Sequence, residues 1–155
     1  MTRGNKRLEK LDKLYQWLSD EGVYLFDRQL PFSSDDTKAV TIKLNEAETW
    51  GVFMDTGRLD TKAEECTAAY HEGGHYATGT THEVCSPWDL VEKHEHKAWK
   101  WAVQNLISAE DLDDAVAQGC TELWELAEHF GVTEDFMRKA VCWYTYGNLA
   151  TELYF

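Results

Sequence analysis

The chain has little basic charge and no long apolar run. Its 155 residues include 15 lysine and arginine side chains against 28 aspartate and glutamate side chains, so the formal net charge is -13. A chain this acidic repels phosphate backbones, and we do not expect it to bind nucleic acid directly. No apolar segment approaches the roughly 20 residues that a membrane-spanning helix needs, so a membrane partner is not expected either.

Proline and closely paired cysteines are also scarce. The chain has two prolines and four widely spaced cysteines, at positions 66, 85, 120 and 142. Cysteines without a CxxC pair are most simply free, mostly buried thiols of a cytoplasmic protein. The basic N-terminus lacks the uncharged apolar stretch of a signal peptide, because charged residues occupy positions 9, 10, 12 and 13. We therefore expect a cytoplasmic protein.

Apolar residues are nevertheless numerous enough to build a core, at 43% of the chain with 13% aromatic. Leucine and aromatic residues recur at helical spacing over residues 6–20. Three short segments rich in β-branched or aromatic residues follow, at residues 23–26, 39–44 and 50–55. This pattern predicts a small sheet of about three strands, largely antiparallel because the second connection is short.

Helical patterns dominate the rest of the chain. The pattern is helical over residues 60–76, with Thr61 as the predicted N-cap and Glu64 completing a capping box. A second helix is predicted over residues 88–107. Three more helices are predicted at residues 109–118, 122–130 and 134–144, with Thr121 and Thr133 as N-caps of the last two. The last two helices have the spacing of a helix-turn-helix.

The predicted fold class is therefore α+β. It consists of a mainly helical domain with a small sheet, followed by a helical segment resembling a helix-turn-helix. We place the core domain at residues 1–107, a helical C-terminal subdomain at 108–147 and a short tail at 148–155.

The centre of the chain carries an HExxH motif, His71-Glu72-Gly73-Gly74-His75. Residues four apart on a helix lie on one face, so both imidazoles point the same way. Two imidazoles one turn apart can hold one Zn²⁺, and Glu72 beside them can act as the general base. This is the zincin arrangement, so the core predicted at residues 1–107 is zincin-like. The arrangement needs a third ligand from elsewhere in the chain.

Glu95 is the favoured third ligand. Five of the six histidines lie between residues 71 and 96, and Glu95 follows His75 by 20 residues. It lies on the apolar face of the helix predicted over residues 88–107, where an unpaired carboxylate would be costly but a zinc-bound one is satisfied. Alternatively, Glu95 is solvated or paired with Lys97 or Lys100. The third ligand could then be His94 or His96. Cys66 or Cys85 could also compete for the metal.

Two glycines inside the motif need a reason. Gly73 and Gly74 cost a helix about 2 kcal/mol relative to two alanines. Such a pair indicates that another helix or a substrate approaches closely, or that the helix ends soon after His75. The following Thr78-Gly79-Thr80-Thr81 is typical of a helix end.

The motif and the segment Glu95-His96-Lys97-Ala98-Trp99-Lys100-Trp101-Ala102 resemble the ImmA/IrrE-type metallopeptidases. In that family HExxH is followed by a helix of the form E-x-E-A-x-x-aromatic-A, whose first glutamate is the third zinc ligand. The resemblance covers residues 23–144. It implies that His71, His75 and Glu95 bind zinc and that Glu72 is the general base. Two positions depart from the family pattern: Lys97 replaces its second glutamate, and Gly73 replaces a bulky apolar residue.

The resemblance also implies a function. A zinc-dependent endopeptidase of this family cleaves a protein substrate, such as a helix-turn-helix repressor of a phage or mobile element. The alternative is a zinc-retaining or inactive binding module that sequesters a regulatory partner. DNA binding by the C-terminal helices is disfavoured because Glu134 and Asp135 begin the second of them. Candidates for stabilising the oxyanion in a peptidase are Tyr70, Tyr76 and His82.

Overall fold

The computed structural model describes residues 3–30, 38–44, 48–81 and 87–154. These residues form an α+β fold, which confirms the predicted class. The helices are α1 (Arg3–Asp20), α2 (Lys62–Thr78), α3 (Trp88–Leu106), α4 (Ala109–Ala117), α5 (Leu123–Phe130) and α6 (Glu134–Tyr146). The strands are β1 (Tyr24–Asp27), β2 (Ala39–Leu44) and β3 (Thr49–Met54). Within the described ranges, no helix combines the length and apolar character that crossing a bilayer requires.

The sheet is mixed, with strand order β1-β3-β2. The pairing of β2 with β3 is antiparallel, as predicted, but β1 pairs with β3 in parallel, so the prediction of a largely antiparallel sheet is wrong for that pair. The difference arises because β3 inserts between the other two strands instead of extending the sheet beyond β2. β3 is also the most buried strand, with Val52 and Met54 only 1% and 4% exposed, as suits a central position.

One buried core joins the two ends of the chain. Leu14 and Leu18 of α1 belong to the same apolar cluster as Leu106 of α3 and Phe136 of α6. This cluster thus contains residues from both sides of the predicted boundary at residue 107. The division into a core and a C-terminal subdomain stays a prediction.

The two glycines of α2 lie where other helices approach. A Cβ added at Gly74 would overlap the carbonyl oxygen of Ala98 in α3, and one added at Gly73 would lie 3.0 Å from Leu14 and 3.4 Å from Trp101. The predicted helix end also occurs, since α2 stops at Thr78. Both explanations of the pair therefore hold, and the close approach lets α3 run against the face of α2 that carries His71 and His75.

The C-terminal helices begin largely as expected. Thr133 caps α6, because its hydroxyl accepts a hydrogen bond from the Phe136 amide at 3.2 Å. The prediction of Thr121 as the cap of α5 is wrong, because Glu122 holds that position. The carboxylate of Glu125 accepts the amides of Thr121 and Glu122 at 3.0 and 3.1 Å, which satisfies the helix start without a threonine cap. The helix-turn-helix assignment for α5 and α6 stays a prediction.

Candidate metal centre

Helix α2 presents the two histidines of the motif. Its first turn is capped by Thr61, whose hydroxyl accepts from the Glu64 amide at 3.1 Å. The Glu64 carboxylate in turn accepts from the Asp60 amide at 2.9 Å instead of from Thr61, so the predicted capping box is only half formed. Further along the helix, the rings of His71 and His75 lie one turn apart with centroids separated by 4.7 Å.

Helix α3 brings the carboxylate of Glu95 between the two imidazoles. One Glu95 oxygen lies 2.8 Å from Nε2 of His71, and the other lies 3.0 Å from Nε2 of His75. One ligand atom from each of the three residues lies within 4.8 Å of those of the other two, and the group can hold a metal ion. Two imidazoles and one carboxylate are donors that zinc binds, so the residues present fit such an ion.

The electrostatics of the cluster favour the charged carboxylate. Burial by itself would raise the pKa of Glu95, but the hydrogen bonds and charges of His71 and His75 hold that pKa well below its usual range. Burial likewise opposes a charged His75, yet the Glu95 hydrogen bond and the nearby Glu72 carboxylate leave the pKa of His75 raised. A metal cation would take the place of the protons that these histidines share with Glu95.

His75 is oriented by the segment that follows α2. Gly79 ends the helix in the left-handed conformation, at φ 64°, and this turns the chain back towards His75. The carbonyl oxygen of Thr80 then lies 2.8 Å from Nδ1 of His75. Because a carbonyl can only accept, Nδ1 carries the proton and Nε2 is left to bind metal.

Glu72 is buried beside the cluster and is held by the sheet. Its residue is 5% exposed, and one carboxylate oxygen accepts a short hydrogen bond from the hydroxyl of Thr41 in β2. The other oxygen lies 3.7 Å from Nδ1 of His71. The candidate general base therefore lies between its own helix α2 and strand β2. The hydrogen bond from Thr41 holds its carboxylate next to the candidate metal ligands.

These residues line a cleft of about 520 Å³ between β2, α2 and α3. Its walls include all four predicted site residues as well as Thr41, Thr80 and Trp99. The metal group is thus open to a molecule that enters the cleft. A site with this opening can both hold an ion and admit a substrate.

The alternative ligands are not in this group. His96 is exposed, and neither it nor His94 belongs to the cluster, because each lies about 100° around α3 from Glu95. Cys66 is buried in the apolar core and does not belong to the group, and Cys85 lies outside the described residues. Lys97 is exposed and is not among the ion-pair partners of Glu95.

Two of the three oxyanion candidates do not line the cleft. Tyr70 is buried and donates its hydroxyl to the carbonyl of Lys10 at 2.8 Å. Tyr76 packs edge-on against Trp17 and Trp50, at 5.6 and 5.4 Å between ring centroids. His82 lies outside the described residues.

Comparisons with known proteins give no assignment, because no family model, curated protein or solved structure matches this chain. The likeness to ImmA/IrrE-type metallopeptidases therefore depends on the motif residues themselves.

Three of the cleft residues that contact the candidate site residues were not predicted from the sequence: Thr41, Thr80 and Trp99. Thr41 precedes its partner Glu72 by 31 residues, and only the fold of β2 onto α2 brings them together. Thr80 acts through its backbone carbonyl, which no residue type reveals. Trp99 did carry a signal, because it follows Glu95 by one helical turn on the same face.

Proposed function

We propose that this chain is a zinc-dependent endopeptidase of the ImmA/IrrE type. The observation that carries the proposal is the meeting of His71, His75 and Glu95 on the wall of an open cleft, with Glu72 buried beside them. Any one of these features alone is common. Their combination is what peptide hydrolysis by a zincin requires.

The donor set favours zinc over magnesium and calcium. Two imidazole nitrogens and one carboxylate oxygen form the ligand set of many catalytic zinc sites, whereas magnesium and calcium prefer oxygen alone. Three protein ligands leave a coordination position for water or substrate, as catalytic sites need.

Each residue then has a role. When bound, zinc acts as a Lewis acid that acidifies a water molecule and polarises the scissile carbonyl. His71, His75 and Glu95 hold the ion, and Thr80 keeps His75 in the tautomer that binds through Nε2. Glu72 accepts the proton of the attacking water on its carboxylate and passes it to the nitrogen of the leaving amine. Thr41 keeps that carboxylate in place.

The edge of the sheet supports a peptide substrate. β2 is an edge strand, and residues 38–41 line the cleft. The Asp55 amide donates to the carbonyl of Lys38, so by alternation Ala39 and Thr41 direct their backbone groups away from β3. Among the described residues no strand pairs with that edge. An extended polypeptide can add there as a further strand, next to the metal group.

The charge of the chain bears on the kind of substrate. DNA-binding repressors carry basic surfaces, and a net charge of -13 favours encounter with such a partner. Together with the family resemblance, this makes a helix-turn-helix repressor the proposed substrate class.

The two departures from the family pattern do not alter the cleft. Lys97 is exposed. Gly73 lies against Leu14 and the large ring of Trp101, which fills the space that a bulky residue would need. These positions therefore give no reason to prefer the alternative of an inactive binding module.

The proposal is tested by Glu72→Gln. This variant should retain one equivalent of zinc by elemental analysis but cleave a quenched-fluorescent peptide library at least about 100-fold more slowly, because it lacks the general base. Glu92→Gln, which makes the same change at an exposed position of α3, should leave the rate unchanged. Undiminished cleavage by Glu72→Gln, or a wild-type protein without zinc, would defeat the proposal.

A further inference from the structure

The ring of His71 is held differently from that of His75. Its Nδ1 lies 3.7 Å from the nearest Glu72 oxygen, which is longer than a hydrogen bond. The ring instead lies flat on the indole of Trp99, with centroids 4.0 Å apart and planes inclined by only 6°. Stacking of this kind restricts rotation of the imidazole about its side-chain bonds.

Trp99 and Glu95 reach His71 from the same helix. They are one turn apart on α3, so Glu95 meets the Nε2 edge of the imidazole while Trp99 covers its face. The orientation of this ligand therefore depends on where the indole lies.

Helix α6 supports the other side of the indole. Nζ of Lys139 lies 4.6 Å from the ring centroid of Trp99, and the ring of Phe136 lies 6.0 Å away at an angle of 48°. The indole of Trp99 is therefore in contact with the imidazole of His71 from α2 and with the side chains of Lys139 and Phe136 from α6.

We propose that Trp99 is a positioning residue for the metal ligand His71 and that Lys139 of α6 holds it in place. The inference rests on the proposed metal site. It gives the C-terminal helices a part in that site, since displacement of α6 would release the indole and, with it, one ligand.

The chain offers a matched control for the cation. Lys100 of α3 lies over the ring of Trp143 in α6, with Nζ 4.9 Å from the centroid. This pair joins the same two helices by the same kind of contact, but among the ring contacts of the described residues no metal ligand stacks on the ring of Trp143. A general loosening of α3 against α6 would affect both lysine variants alike.

The experiment measures zinc affinity by chelator competition and the visible spectrum of the cobalt-substituted protein. Trp99→Leu should weaken zinc binding by about 10- to 100-fold, the usual effect of losing an outer support of a ligand, and should shift the cobalt bands. Lys139→Met should shift the cobalt bands in the same direction as Trp99→Leu, because the indole loses its cation–π contact, and Lys100→Met should leave the bands unchanged. Trp99→Phe, which keeps a ring, should lie between wild type and Trp99→Leu.

A second readout needs no metal. In the metal-free protein the His71 ring protons should show an upfield ring-current shift by NMR, which Trp99→Leu removes and Lys100→Met keeps. If Trp99→Leu fails to fold, Trp99→Phe and Lys139→Met carry the same comparison.

The outcomes separate this inference from the proposed function. Wild-type zinc affinity and cobalt spectrum in a folded Trp99→Leu, or equal effects of Lys139→Met and Lys100→Met, would overturn the positioning role and leave the metal site intact. A wild-type protein that binds no zinc would overturn both.

Discussion

At the scale of single residues, the protonation of His75 opposes metal binding. The pKa of His75 is raised because Glu95 and Glu72 outweigh the effect of burial, so the metal-free site holds a proton to a higher pH than a free histidine does. Zinc requires the neutral imidazole and must displace that proton.

Zinc affinity should therefore fall as pH is lowered, and the fall should begin above the ordinary histidine pKa of about 6.5. Chelator competition between about pH 8 and about pH 6 measures this, with each bound proton adding up to ten-fold per pH unit to the dissociation constant. An affinity that is constant over that range would show that His75 is not protonated in the metal-free site.

Residue spacing predicted which candidate ligands meet better than it predicted the residues that support them. The motif spacing specified His71, Glu72 and His75, and the apolar face of α3 singled out Glu95. Helical periodicity suffices for this, because it fixes which side chains share a face. The contact between Thr41 and Glu72 depends on how a strand folds onto a helix, and the bond from His75 to Thr80 uses a backbone oxygen. Neither is encoded in local spacing.

At the scale of elements, the site depends on how closely α2 and α3 approach. Ala98 and Ala102 of α3 are fully buried, and the backbone of α3 passes over Gly74. Glu95 reaches the two histidines because the backbones of the two helices come into contact where Gly74 meets Ala98.

Gly74→Ala should destabilise the protein strongly. Alanine would improve helix propensity by about 1 kcal/mol, but its methyl group would overlap the Ala98 carbonyl, a backbone atom that cannot move aside, and we expect a net loss of about 3 kcal/mol. Gly73→Ala is the control, because its methyl group would meet mainly the flexible end of Leu14 at 3.0 Å. Urea unfolding measures both variants. Equal stability changes would show that the helices are not in backbone contact at Gly74.

The end of α2 gives a second test at this scale. Gly79→Ala and Gly147→Ala both place a side chain in a left-handed helix cap, at φ 64° and 76°, with nothing within 4 Å of the added methyl group. Each should cost about 1 kcal/mol of stability through backbone strain. Only Gly79→Ala should also weaken zinc binding, by about ten-fold, because it displaces the Thr80 carbonyl from His75. Equal zinc affinities in the two variants would exclude that role for Thr80.

Element types were easier to predict than their partners. Every predicted helix and strand occurs, because each pattern extends over enough residues to distinguish a period of 3.6 from one of 2. The strand order was not predicted, because β3 pairs directly with β1 although β2 lies between them in the sequence. The cap of α5 was misplaced by one residue because a glutamate side chain, Glu125, satisfies the first amides in place of a threonine.

At the scale of the whole molecule, a metal at this site would tie together two long helices that belong to one core. α2 carries two ligands and α3 carries the third, while α1 and α6 pack on the same apolar cluster. A ligand that binds only the folded chain stabilises all of it, because unfolding must release the ion.

Removal of zinc should therefore lower the melting temperature of the whole chain. With free zinc about 1,000-fold above its dissociation constant, linkage adds about 4 kcal/mol, which corresponds to roughly 10 °C for a chain of this length. Calorimetry with and without a chelator measures the difference. Glu95→Ala should abolish it because one ligand is lost, whereas His96→Ala, at the adjacent exposed position, should keep it. A melting temperature that responds to zinc equally in both variants would mean that the ion binds elsewhere, and the assignment of Glu95 as the third ligand would be wrong.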